Sequence, residues 1–363
     1  MPGRKKIHAR IWPAVCLLLL LDLLPQHRTS TAMLHSAPAA SVWQKGITYT
    51  HLYRPENNLL SRRSQDSLHY LKTRVGAEWI ALNPFAYQHT YDDPHIYLEA
   101  DPPDAHLRHA IQEAHRLGLK VMLKPHIWLR DRSNDKWRGA IEMADEERWG
   151  LWFSDYERFI LHYAKLAADE QVELFCIGTE LATTAIQRET DWRRLIARIR
   201  QHYSGSLVYA ANWWAEYEHI AFWDALDYIG INAFFPLSDI SNPSLAELRH
   251  SAAAIAENIG LLYQHTGKPV IFTEVGFKSV RGTSIRPWVW TRQHDVVDLD
   301  AQVRCYQAIF ETFWSRPWFY GMYWWKWHSD LDRGGSQHTG FTPRRKPAEQ
   351  VLTEWYNKPA PGH

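Results

Sequence analysis

The chain is poor in the features that most quickly betray function. Only three cysteines occur among 363 residues. Cys16 falls in an N-terminal leucine-rich stretch, and Cys176 and Cys305 lie far apart in an expected strand and an expected helix, so both are read as buried free thiols. Neither has metal-ligand spacing. No H-E-x-x-H or clustered Cys/His set occurs and the 20 histidines are scattered, so no metal or other cofactor is expected. Charge of one sign is also lacking: 41 basic and 40 acidic residues give a formal net charge of +1, which disfavours nucleic acid or anionic lipid as a partner. The longest apolar block, from about Ala14 to Leu24, carries Asp22 and falls short of the roughly 20 residues a spanning helix needs.

That block follows Arg4, Lys5, Lys6 and Arg10 and precedes small and polar residues, the pattern of a secretory signal. The expected organisation is a signal peptide over about residues 1–32, a linker over 33–44, one domain over 45–357 and a tail over 358–363. Export to the periplasm or the medium is expected, with an uncleaved anchor the less favoured reading.

The chain is rich in aromatic and apolar residues, with 19 Trp, 17 Tyr and 45% hydrophobic content. That is enough to bury a large core and to offer flat faces to a ligand such as a sugar. Eight apolar runs of strand length recur: 46–50, 78–85, 120–128, 173–181, 207–213, 228–235, 269–276 and 320–327. Their hydrophobicity is mostly continuous, as in parallel strands buried on both faces. Amphipathic helical stretches lie between them, one starting at Asp104 and stopping near Gly118, another ending near Gly267, then LDAQVRCYQAIFETFW and KPAEQVLTEWY. The fold class predicted is α/β, a single (β/α)8 TIM barrel. An open doubly wound sheet is weakened because GITYTHLYRPENN, after the first run, carries no G-x-G-x-x-G.

A barrel of this kind keeps its chemistry at the C-terminal ends of its strands. Glu180 ends the fourth run and Glu274 the seventh. One such glutamate is as easily a structural ion pair. Two across one barrel mouth suit glycoside hydrolysis, in which one carboxyl protonates the leaving oxygen and the other attacks the sugar or directs water. Other strand ends carry Asn83, Lys124, His126 and Asn212, costly to bury unless bonded and therefore candidates to meet a ligand. Trp128 is a candidate stacking face, and Trp213, Trp214, Trp324 and Trp327 read as core. Adjacent strand residues face opposite ways, so only one of Trp324 and Trp325 can point inward. The long loops after the seventh and eighth runs, the first with Trp288 and Trp290, are expected to wall the cleft.

The stretches IGTEL, MLKPHIW, YIGINAFFPLS, FTEVGF and GFTPRRKPA resemble glycoside hydrolase clan A, and within it family 113, known for β-mannanases; the resemblance runs from Gly46 to Tyr356. It implies Glu180 as general acid/base and Glu274 as nucleophile of a retaining enzyme, with Asn83, Lys124, His126, Trp128, Asn212 and Trp325 serving an oligo- or polysaccharide and steadying the pair. Two positions depart from the clan pattern. Thr179 stands where many members have Asn, and Phe234 and Phe235 occupy the stretch where a Tyr commonly touches the nucleophile. A non-catalytic glycan-binding protein on the same scaffold is the alternative, and a different barrel enzyme a third reading.

Overall fold

The computed structural model describes residues 42–362 apart from 53, 132–135 and 292–293. The expected signal segment and Cys16 lie outside the described residues. Among those described, eleven strands run in chain order: β1 (Gln44–Thr50), β2 (Trp79–Leu82), β3 (Phe85–Gln88), β4 (Ile96–Asp101), β5 (Lys120–Leu123), β6 (His126–Leu129), β7 (Leu174–Thr179), β8 (Ser206–Asn212), β9 (Tyr228–Asn232), β10 (Val270–Val275) and β11 (Phe319–His328). The helices are α1 (Arg62–Tyr70), α2 (Asp104–Arg116), α3 (Glu146–Asp169), α4 (Ala182–Gln187), α5 (Glu189–Arg200), α6 (Leu245–Thr266), α7 (Leu299–Phe313) and α8 (Pro347–Tyr356). No helix among the described residues is long and apolar enough to cross a membrane.

Eight strands close a parallel barrel in the order β1-β11-β10-β9-β8-β7-β5-β2. The runs at 78–85 and 120–128, expected to be one strand each, are each cut in two. The cuts fall at Pro84 and Pro125, whose rings remove the N–H a barrel ladder requires. Beyond them β3 and β6 pair in parallel from Phe85 and His126, and β4 joins β3 antiparallel, so a small three-stranded sheet rises from the barrel rim. The run at 228–235 also ends early, at Asn232, leaving Phe234 and Phe235 in the following loop.

Alternation along the strands builds two cores. Trp79, Met122, Leu174, Cys176, Val208 and Tyr323 pack within the barrel, and a larger cluster fills the layer between strands and helices. Trp324 belongs to the outer layer, stacked on Tyr306 of α7 at 3.7 Å between ring centroids. Trp325 therefore turns to the barrel mouth, as the alternation rule required. Cys176 and Cys305 are buried and unpaired, as expected. Helix ends follow local chemistry: Ser244 and Glu247 form a capping box on α6, and Gly267 closes it in the left-handed region at φ 66°.

Candidate active site

A cavity of about 1140 Å³ opens at the C-terminal ends of the barrel strands, and Glu180 and Glu274 both line it. Of the other residues expected there, Asn83, His126, Trp128, Asn212 and Trp325 lie on its wall. Lys124 does not. Its side chain is wholly buried just past β5, and its ammonium meets Glu274 Oε1 from beneath. Trp213 and Trp214, read as core from the sequence, instead line the cavity, where Trp213 stacks on Trp288 at 4.9 Å. Trp290 meets Trp325 edge-on at 6.2 Å. The tryptophans of the loop after β10 are thus walls of the cleft. Arg333 and Phe341, from the loop after β11, complete another side.

The two carboxylates are held differently. Glu274 lies within β10, opposite Asn232 of β9. Burial, first, and the neighbouring Glu180 charge push its carboxyl up, against the pull of the Lys124 ammonium. The net displacement is upward, and Lys124, with a smaller pull from Arg138, favours the charged form. Phe234 faces the cavity and has no hydrogen-bonding group to offer, and among the described residues Lys124 supplies the donor to Glu274. Glu180 sits just beyond β7 with φ 53°, a left-handed conformation a non-glycine residue adopts only at a cost of order 1 kcal/mol. Its Oε1 accepts from Asn212 Nδ2 at 3.2 Å, and its Oε2 lies 3.2 Å from the Arg138 guanidinium. Arg138 also lies face-on to Trp128 and Trp137, 5.6 Å from each ring.

Smaller features fit a ligand with many hydroxyl groups. Among the described residues the buried amide of Asn83 has no hydrogen-bond partner for either polar atom, and it lines the cavity, an unmet demand that a bound hydroxyl would satisfy. His126 is held neutral by burial, then by Arg138 and Lys124. Its Nδ1 lies 3.0 Å from the Ile127 carbonyl, which only accepts, so Nδ1 carries the proton and Nε2 is left as an acceptor. Thr179, at the clan's Asn position, is buried and directs Oγ1 toward the Pro125 carbonyl at 3.5 Å.

Arg138 and Glu216 are two functional side chains that the sequence reading missed. Glu216 is fully buried behind Glu180. One of its oxygens accepts from the Tyr209 hydroxyl and the other from the Asn212 backbone N–H, while Tyr209 Oη accepts from Leu181 N at 2.8 Å. The network thereby fixes the residue after Glu180 and the asparagine that touches it. Burial pushes the Glu216 carboxyl up to about 8, against those two donors. The signal for it was slight: a glutamate among aromatics in NWWAEYEHI. Arg138, in KWRGA after the third run, gave none. Among the described residues no group of three His, Cys, Asp or Glu side chains is spaced to hold a metal ion.

The sequence model of Glycoside Hydrolase Family 113 matches residues 47–346. A solved GH113 β-1,4-mannanase in a complex is 27% identical, with a TM-score of 0.77 over 88% of this chain and 100% of that one. The GH113 β-mannanase AaManA from Alicyclobacillus acidocaldarius, solved with ManMIm, is 30% identical, with a TM-score of 0.76 over 87% and 97%. A Faecalibacterium prausnitzii β-glucuronidase, 15% identical with a TM-score of 0.60 over 89% of this chain and 50% of that one, shares the fold alone. Comparison with functionally curated proteins gives no match. A parallel barrel with a glutamate at the mouth end of its fourth and seventh strands, matched by the family model over nearly the whole domain, leads to one assignment: the chain belongs to glycoside hydrolase family 113 and is a glycoside hydrolase.

Proposed function

We propose that this hydrolase cleaves β-mannosidic bonds by double displacement, with retention at the anomeric carbon. The observation that carries the reading is the pairing of two carboxylates on one cavity wall, each with its own cation: Glu274 with Lys124 and Glu180 with Arg138. Mannan as substrate draws its support from the solved relatives, which are β-mannanases. Glu180 donates its proton to the glycosidic oxygen while Glu274 attacks the anomeric carbon, so the leaving sugar departs as an alcohol and a glycosyl ester forms on Glu274. Water then attacks the anomeric carbon, giving its proton to Glu180 and displacing the Glu274 carboxylate, which restores both groups. Retention calls for carboxyl groups about 5 to 5.5 Å apart. Trp325 is assigned the platform beneath the sugar at the cleaved bond. Asn83, His126 and Asn212 are assigned its hydroxyls.

Incubating the protein with a panel of β-linked glycans, mannan and manno-oligosaccharides included, and following fresh products by proton NMR tests the reading. Release of the β-anomer first, lost in Glu274→Gln, is expected; release of the α-anomer first would overturn retention. The basic and then apolar N-terminal segment supports export as well. Amino-terminal sequencing of the protein recovered from the expressing cells checks it.

A further inference from the structure

The charges on the cavity wall do not cancel. Its two carboxylates, Glu180 and Glu274, are each already matched, by Arg138 on the wall and by Lys124 beneath it. Lys326 and Arg333 line the same cavity, and neither has a carboxylate within ion-pair distance among the described residues. The acids nearest Arg333 in sequence, Asp330 and Asp332, are both engaged by Arg63, at 3.3 and 3.5 Å. His328, on the same side, is kept neutral by burial and adds no charge. Two cations are therefore in surplus.

Lys326 is the less ordinary of the two. It follows the stacking residue Trp325, and its ammonium stands 5.0 Å from the ring centroids of both Trp290 and Trp325. Burial, first, and the Arg333 charge lower its pKa to about 8 against the pull of Glu274, which leaves it mostly charged at neutral pH at a desolvation cost that Glu274, outside ion-pair distance, offsets only in part. The two indole faces recover part of that cost. A neutral sugar would ask for hydroxyl contacts, which the Asn83 amide and the His126 acceptor already offer. A surplus of positive charge beside the platform asks for an anion.

We propose that Lys326 and Arg333 form an anion-recognising subsite, and that the preferred substrate is a β-linked glycan whose sugar on or next to Trp325 carries an acidic group, a carboxylate or a phosphate. The inference rests on the glycosidase reading of the cavity. It divides the cleft into a neutral, hydroxyl-binding side near Asn83 and a cationic side near Lys326.

Three trisaccharides of the same linkage test it: neutral β-1,4-mannotriose, β-1,4-linked trimannuronate with a carboxylate on each ring, and mannotriose bearing one 6-phosphate. Binding of each is measured by calorimetry and turnover by product release, for the wild type, Lys326→Met, Lys326→Arg and Arg333→Gln. The wild type is expected to favour one acidic trisaccharide over the neutral one by about tenfold in Kd and in kcat/KM, and which acid wins identifies the group. That ratio should fall toward parity in Lys326→Met, be largely kept in Lys326→Arg, fall partly in Arg333→Gln, and shrink with added salt. Arg333 is exposed, so its variant folds whatever Lys326→Met does to the indole pair. A wild type that favours the neutral sugar, with a ratio unmoved by any variant, overturns the subsite. Should none of the three be cleaved, the β-mannosidase reading fails, and the binding ratios alone still decide the subsite.

Discussion

The ends of β7 and β10 carry the same residue type at the same barrel mouth, yet the two glutamates live in different electrostatic settings. Glu274 stays within β10, where the pairing with both neighbouring strands slips between Phe272 and Val275, and takes its cation from Lys124, a wholly buried side chain that does not line the cavity. Glu180 leaves its strand in a left-handed conformation, and its two partners, Arg138 and Asn212, both line the cleft. A nucleophile must be charged whether or not substrate is present, and a cation in the barrel floor provides that. An acid/base group must gain and lose a proton within one cycle, and partners on the cleft wall are the ones a bound sugar can displace. The difference between floor and wall thus matches the difference in the roles proposed for the two residues.

The comparison breaks most visibly on removing each carboxylate. Glu274→Ala is expected to bring hydrolysis to background, with azide restoring turnover and giving the α-glycosyl azide. Glu180→Ala is expected to cost roughly 10² to 10⁴-fold in kcat/KM on sugars with poor leaving groups and far less on dinitrophenyl glycosides, which need no proton. There azide should give the β-glycosyl product. Equal losses on both substrate types would contradict the division of labour.

Lys124→Met tests the floor itself. Without the ammonium the Glu274 carboxyl rises further, so the charged nucleophile disappears at a higher pH. The acidic limb of the kcat/KM profile should move up by roughly 1 to 3 pH units. An unmoved limb would mean that Lys124 does not govern the charge of Glu274.

Glu216→Gln probes the support behind Glu180. The folded protein holds this proton up to about 8, whereas an exposed glutamate releases it near 4.5. The stability this group contributes is therefore complete below about 4.5 and is lost as pH climbs through about 8, on the order of 5 kcal/mol in all. Thermal unfolding of the variant should show a flatter dependence on pH across that window. Its kcat/KM should also fall by about tenfold, since Asn212 and Leu181 lose their anchor. Glu216→Asp, too short to reach both partners, should not restore it.

The smallest expected effect belongs to the outer wall. Trp288→Ala removes one half of the Trp213 stack and should raise KM several-fold, about 1 kcal/mol, with kcat little changed. A matching fall in kcat would place this pair closer to the chemistry than its position suggests.

Much of this arrangement was legible in the residues. Parallel barrel strands leave long apolar runs, so strand-end carboxylates stand out, and both glutamates were visible as charges closing such runs. The alternation rule showed that only one of Trp324 and Trp325 could face the mouth, the resemblance favoured Trp325, and the stacking of Trp324 on Tyr306 leaves that place to it. Other features depend on where the chain turns. Pro84 and Pro125 lay in plain view, but only pairing of the segments beyond them shows that both strands bend off together into a rim sheet. Lys124 read as a ligand contact because an ammonium at a strand end is costly to bury unless something bonds it, and no partner was visible nearby in the sequence. Its burial follows from Glu274 lying 150 positions away in sequence, a partner no local pattern reveals. Arg138 opens a single 3-10 turn, Arg138–Ala140, and Glu216 lies in a loop, and neither segment is long enough for charge to show a periodicity.

The most direct test of the account is to trap the intermediate. The protein is treated with 2-deoxy-2-fluoro-β-mannosyl fluoride, digested, and mapped by mass spectrometry. The account predicts one fluoromannosyl group per chain, esterified to Glu274, with activity returning as the label hydrolyses. A label on any other residue, or inactivation-free turnover that releases the α-anomer, would contradict it.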